Sequence, residues 1–440
     1  MIEKLIFGTK KHIVETYYKK IKMNRKEFLY IPSLSAGSMV SAFKKNTKFS
    51  DGTTMRFYSK EYPEKWRHPY FLVTAGHHYK KMDFRNQLGL DDGAFVFGDS
   101  GGFQIATGAL KWDGTIREKI FHWLEANSDV AANLDIPPRV TFENRFQDSM
   151  DISFDNFKWF EKNQSGKTKF LNVIQGTFSE EYKEWYHKFK DFDFKGWCIG
   201  GPKKLVDFMY VIALMLQERE FEKEHVEYVH LLGISKISDF FILATLQELM
   251  NKLTNNRIQL MSDSSSPGQY PVYGTYLHSG NYKTQTFTEL YFPKNAEYRR
   301  KTHVKQGKDG TISIDKTKHV PCSIDCPACK DFTYEYLGGQ TAGGLDRYSQ
   351  EGMPRMVVHN THLYCEIVKD INKLTNNHVE LLETAIPAEL FNVILSLHEM
   401  FADPDNAMNV YATYKKTYKK FGGDSISTTD ANKFSEFFKF

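Results

Sequence analysis

The chain has 440 residues, 41% hydrophobic and 15% aromatic, with 58 Lys plus Arg against 54 Asp plus Glu for a net charge of +4. That composition supports a sizeable core and excludes wholesale disorder; no apolar run approaches the roughly 18 to 20 residues that cross a bilayer. A nearly balanced charge leaves room for a nucleic-acid partner only through a local basic patch. The first eight residues, MIEKLIFG, lack the apolar core of a signal peptide, so a soluble, cytoplasmic protein with no membrane partner is expected. Five cysteines, three of them packed into eight residues, argue for metal binding in a reducing compartment over a disulfide framework.

In chain order, residues 1–27 read as an N-terminal helical segment rich in Lys and aromatics. Eight short apolar runs follow, at 28–32, 71–76, 94–99, 130–135, 170–175, 197–201, 228–233 and 258–263, most of them ending in Gly, Asp or Gln. Stretches of helical character separate most of them, at 117–126, 142–163, 180–191, 205–222 and 237–252. Strands alternating with helices predict parallel βαβ units, and eight such units over about 250 residues match a (β/α)8 TIM barrel. A doubly wound open sheet is the alternative. The barrel is favoured because polar residues close several different strands, where barrel sites assemble. The barrel is assigned to 28–300, a zinc-binding subdomain inserted after it to 301–370, and C-terminal helices packing on the barrel to 371–440. The segment 264–320 reads as long loops with room for a hairpin and carries a basic run from Arg299 to Lys318. Helices are expected at 377–401 and 407–421.

Three features carry chemistry. Asp99-Ser100-Gly101-Gly102 closes an apolar run, and its glycines permit a sharp turn beside a flat ligand. Asp99, Asp135 and Asp263 each end a predicted strand, so a barrel brings all three to one mouth. Converging carboxylates suit glycosyl chemistry, in which one attacks an anomeric carbon and another handles a proton. Gln175 and the pair Gly200-Gly201, at other strand ends, complete a pocket for a flat polar ligand. Finally, Cys322, Cys326 and Cys329 with His359 offer three thiolates and an imidazole, the donor set of a closed, structural Zn2+ site. His362 competes with His359 as fourth ligand.

The ordered run DSGGFQ at Asp99, VIQG at Gln175, CIGG at Gly200, Leu232-Gly233, the strand end at Asp263, Gly274-Thr275, and the three cysteines with His359-Asn360 resembles the motifs of the tRNA-guanine transglycosylase family over residues 70–365. The resemblance implies an enzyme, a pentosyltransferase that exchanges guanine in a polynucleotide for a 7-deazaguanine base. It implies Asp263 as nucleophile and Asp99 as general acid/base. Ser100, Asp135, Gln175, Gly200 and Gly201 would bind the base, and Cys322, Cys326, Cys329 and His359 would hold the metal. No arginine follows Asp263, where Ser264-Ser265-Ser266-Pro267-Gly268 stands instead, and the cysteine spacing is C-x3-C-x2-C. The chain is therefore more similar to the divergent branch that inserts 7-cyano- or 7-aminomethyl-7-deazaguanine into DNA, with tRNA as the alternative polymer and a non-catalytic nucleic-acid-binding barrel as the second alternative.

A base inside duplex DNA reaches such a mouth only when flipped out, which suggests partner proteins that open DNA. The run from Arg299 to Lys318 and Lys203-Lys204 are candidate phosphate contacts. Tyr270, Tyr273 and Tyr276 are candidates for stacking on unpaired bases.

Overall fold

A computed structural model describes residues 25–34, 37–91, 93–113, 115–138, 145–200, 204–272, 275–291, 319, 322–330, 352–377 and 379–422. Gly201, Lys203, Tyr273, Gly274, the run from Arg299 to Lys318 and residues 1–24 of the expected N-terminal helical segment lie outside the described residues.

All eight predicted strands form, as β1 (Leu29–Pro32), β2 (Tyr70–Thr74), β3 (Phe95–Asp99), β4 (Val130–Ala132), β5 (Lys169–Ile174), β6 (Gly196–Ile199), β7 (Tyr228–Leu231) and β8 (Gln259–Ser264). They make one parallel sheet in the order β1-β8-β7-β6-β5-β4-β3-β2. The ends of that order meet: Ser33 bridges Leu72 in parallel, and the Leu34 N–H donates to the Leu72 carbonyl at 2.9 Å. The sheet is thus a nearly closed (β/α)8 barrel, and the open-sheet alternative is set aside. Closure explains the runs of apolar residues in β4 and β6, where every residue is buried, because both faces of a barrel strand are covered.

The outer helices include Ile116–Asn127, Arg145–Asn163, Ser179–Phe189, Leu205–Gln217 and Ile237–Thr254. Residues 208–216 of the fourth are all buried, which a helix at a solvated surface does not do. Its outer face is covered by the C-terminal helix Ala407–Gly422, with Tyr210 edge-on to Tyr411 at 5.4 Å. Ile237–Thr254 is likewise covered by Ala388–Ala402 and Met353–Asn377. The helix expected at 377–401 is two, Val379–Ala385 and Ala388–Ala402, broken at Ile386-Pro387. Proline lacks an N–H and disfavours helical geometry in the residue before it.

Two features were not in the sequence reading. A short helix, Ser266–Val272, follows β8 and precedes the hairpin for which the sequence left room, an antiparallel pair of β9 (Thr275–Asn281) and β10 (Thr286–Tyr291). The 25-residue helix Met353–Asn377 runs through position 370, where one subdomain was expected to give way to the next. It is pinned to the barrel: the Asn372 amide donates to the Phe28 carbonyl at 2.9 Å, and Asn360 accepts the Leu277 N–H at 3.1 Å. No helix among the described residues is long and apolar enough to cross a membrane.

Candidate active site and metal centre

Parallel strands carry their C-terminal ends to one mouth. Asp99 is the last residue of β3, Asp135 lies three past β4, Gln175 and Gly200 directly follow β5 and β6, Gly233 lies two past β7, and Asp263 is the penultimate residue of β8. The carboxylates feel one another. Burial raises the Asp99 carboxyl above the usual range, opposed by hydrogen bonds from Thr74 and Gly101, with the charge of Asp263 adding to the rise. Burial also pushes Asp135 up to about 7, against the hydrogen bond from Gln175 and helped by Asp99. The buried Cys198 thiol of β6 is pushed well up by burial and then by all three aspartates. Clustered acids in a low-dielectric site resist joint ionisation.

Each acid is held differently. The Thr74 hydroxyl donates to Asp99 Oδ2 at 2.8 Å, and the Gly101 N–H to Oδ1 at 3.3 Å. The Gln175 amide donates to Asp135 Oδ2 at 2.8 Å. Asp263 accepts the Gly233 N–H at 3.1 Å on Oδ1, and His230 Nε2 lies 3.1 Å from the same oxygen. Its other oxygen accepts no hydrogen bond among the described residues, and the side chain keeps 11% of its surface accessible. The loop after β7 grips the β8 backbone as well, the Ile234 N–H donating to the Asp263 carbonyl at 2.8 Å.

The glycines of the Asp99 loop serve packing. Gly101 adopts φ +88°, and a Cβ on it would stand 2.8 Å from Gly76 Cα; a Cβ on Gly102 would stand 1.9 Å from the Asp135 carbonyl oxygen. Any other side chain at either position would push the β3 loop away from the loops after β2 and β4. At Gly200 a Cβ would meet the Gln175 amide at 2.5 Å, so that glycine keeps the Gln175 side chain in place beside Asp135.

Ser100 is 1% exposed, and its hydroxyl has no partner among the described residues. Both amide atoms of the wholly buried Asn133, two residues before Asp135, are likewise unpartnered. Each such group costs about 1–3 kcal/mol unless a ligand or water satisfies it. Sequence reasoning passed over Thr74, Asn133 and His230, and gave Gly233, part of the motif run, no role. Thr74 and Asn133 were legible as polar residues closing apolar runs, and His230 as a lone histidine inside one, but their partners depend on which strands adjoin.

The four candidate metal ligands come together as expected. The donor atoms of Cys322, Cys326, Cys329 and His359 all lie within 4.8 Å of one another. Sulfur separations of 4.0 Å (Cys322 to Cys326) and 3.4 Å (Cys326 to Cys329) straddle the edge of about 3.8 Å that a tetrahedron with Zn–S bonds of about 2.3 Å would have. His359 Nδ1 faces the sulfurs, at 2.8 Å from Cys329, while Nε2 donates to the Leu277 carbonyl at 2.7 Å. That second bond fixes the tautomer that leaves Nδ1 free to ligate. His362 turns away, its Nε2 lying 2.7 Å from the Tyr62 hydroxyl, so the histidine that joins the three cysteines is His359.

His359 is wholly buried on the long helix Met353–Asn377, which packs against β1 and the helix Ile237–Thr254. One expectation is corrected here. Tyr276, expected to stack on bases, is 2% exposed, stacks on the His359 ring at 4.2 Å and approaches Cys329 Sγ at 3.3 Å through its hydroxyl. It is part of the metal centre. Tyr270 packs against the core from the helix Ser266–Val272.

The metal centre and the mouth adjoin. Asn360, next to His359, reaches the Pro267 carbonyl at 3.4 Å, four residues beyond Asp263. No protein-family model matches the chain, and no curated protein matches it.

Proposed function

We propose that this protein is a transglycosylase that exchanges guanine in DNA for a 7-deazaguanine base by double displacement. One observation carries the reading: two carboxyl groups at strand ends of one barrel mouth, Asp99 made reluctant to ionise and Asp263 held at one oxygen with the other unoccupied, share that mouth with Asp135, Gln175 and the unpartnered Ser100.

In the first step Asp263 Oδ2 attacks the sugar C1′, the C1′–N9 bond breaks, and Asp99 gives its proton to the departing guanine. The product is a sugar ester on Asp263. In the second step the incoming base loses its N9 proton to Asp99 and attacks C1′, and the C1′–O bond breaks to restore the Asp263 carboxylate. A covalent intermediate of this kind splits one difficult displacement into two. Asp135 and Ser100 match the donors and acceptors along the Watson–Crick edge of a guanine-like ring.

Cys322, Cys326, Cys329 and His359 would hold a structural Zn2+, which with four protein ligands has no open position and supplies folding energy only. DNA is favoured over tRNA because Asp263 runs directly into Ser264-Ser265 and the helix Ser266–Val272, a segment without arginine to read neighbouring bases. The test is incubation with labelled 7-deazaguanine base and either duplex DNA or tRNA. Label entering DNA supports the proposal; label entering tRNA alone overturns the choice of polymer. Entry into neither, together with no covalent adduct, favours a nucleic-acid-binding barrel.

A further inference from the structure

Resting on the base-exchange reading, we propose that His230 is the positioning residue of the nucleophile: it selects Oδ2 of Asp263 as the attacking oxygen and holds Oδ1 as the ester carbonyl. Four observations converge on it. His230 is wholly buried in β7. Its Nε2 lies 3.1 Å from Asp263 Oδ1, the same oxygen that takes the Gly233 N–H at 3.1 Å. Its ring stacks on Phe97 at 3.9 Å with an interplanar angle of 18°. Its Nδ1 is buried without a partner among the described residues.

An unpartnered, buried Nδ1 is best left bare, because an N–H there would lose its hydrogen bond to water with nothing in return. The proton then sits on Nε2, which donates to Asp263. Two donors on Oδ1 and none on Oδ2 leave a single oxygen for the sugar. When Oδ2 bonds to C1′ and the base departs with the proton of Asp99, Oδ1 becomes the carbonyl oxygen of the ester and keeps both donors. Return of the carboxylate in the second displacement leaves His230 in its starting protonation state. The Phe97 stack adds a mechanical link. Phe97 lies two residues before Asp99 on β3, so the ring that orients the nucleophile rests on the strand that carries the acid. A misplacement of about 1 Å in such a pair costs about 10²-fold in rate.

The test compares His230→Phe, which keeps a ring against Phe97 and removes the N–H, with His230→Gln, which retains an N–H donor. The readout is the rate at which protein and a guanine-containing DNA duplex form the covalent adduct. His230→Phe is expected to slow adduct formation about 10²-fold at unchanged KM for DNA, and His230→Gln to recover much of the loss. A His230→Phe rate within twofold of the parent overturns the proposal. The 15N spectrum of histidine-labelled protein gives a second readout that needs no substrate. It is expected to show Nε2 protonated and Nδ1 bare at His230, a pattern altered by Asp263→Ala; an Nδ1–H tautomer overturns the proposal. Parent protein forming no adduct with DNA or tRNA speaks against the base-exchange reading itself, while the spectrum still decides the role of His230.

Discussion

Two buried carboxylates at opposite ends of the barrel divide structure from function. Glu220 lies in the short 3-10 turn Glu220–Glu222 that leads toward β7, at the N-terminal end of the strands. It is wholly buried and fully satisfied, accepting the Tyr186 hydroxyl and the Trp197 indole N–H at 2.8 Å each and the Lys223 ammonium at 2.7 Å. Asp135, at the mouth, is nearly as buried but takes one side-chain partner, Gln175. A carboxylate with three donors ties helix, strand and turn together. One with a single partner, pushed up to about 7 by burial and set near the unpartnered Ser100, keeps capacity for a ligand. In a barrel the bottom face serves stability and the top face chemistry.

The largest effect should come from Asp263. Asp263→Ala is expected to cut base exchange by about 10⁴-fold or more while leaving the melting temperature close to the parent's; a large fall in melting temperature would make Asp263 a structural acid like Glu220. Glu220→Ala should do the reverse. Stripping the buried carboxylate from Lys223, Tyr186 and Trp197 is expected to cost about 3–5 kcal/mol by denaturant titration, with activity per folded molecule retained.

The eight strands were legible because a parallel barrel buries both faces of each strand and releases the chain into polar loops at one end. Asp99, Gln175, Gly200 and Asp263 could be found by that rule alone. Met353–Asn377 was missed although Met356, His359, Leu363, Ile367 and Ile371 recur at helical spacing on its buried face; the ligand pattern drew attention to His359 and away from the periodicity around it. The partners of Asp263 were not legible, since Gly233 and His230 become its neighbours only through the pairing of β7 with β8. The glycines after Ser100 were read as permitting a sharp turn beside a ligand; Gly101 does turn, at φ +88°, and both glycines also let neighbouring loops pack closely, which the sequence did not show.

Asp135 gives a pH-dependent prediction. Its folded value of about 7 lies above the ordinary 3.8, so the folded state holds the proton more tightly than the unfolded chain. The stability this contributes is present below about pH 4 and is lost as pH rises through about 7. Asp135→Asn removes that loss, so its melting temperature should gain on the parent's between pH 5 and pH 8. Its affinity for free 7-deazaguanine should fall about 10-fold or more at pH 8 by calorimetry. A mutant neither stabilised at pH 8 nor impaired in binding would erase the contrast with Glu220.

The smallest effect belongs to the Cys3His cluster. Tyr276→Phe loses the hydroxyl contact to Cys329 but keeps the stack on His359. It is expected to cost about 1 kcal/mol of stability, with one metal ion still bound per chain by elemental analysis.

The most direct test of the account is to find the intermediate. Protein mixed with a guanine-containing DNA duplex, with no incoming base, then denatured and digested, should yield a peptide in which Asp263 carries deoxyribose by mass spectrometry. An adduct on another residue, or one formed with tRNA and never with DNA, would contradict it.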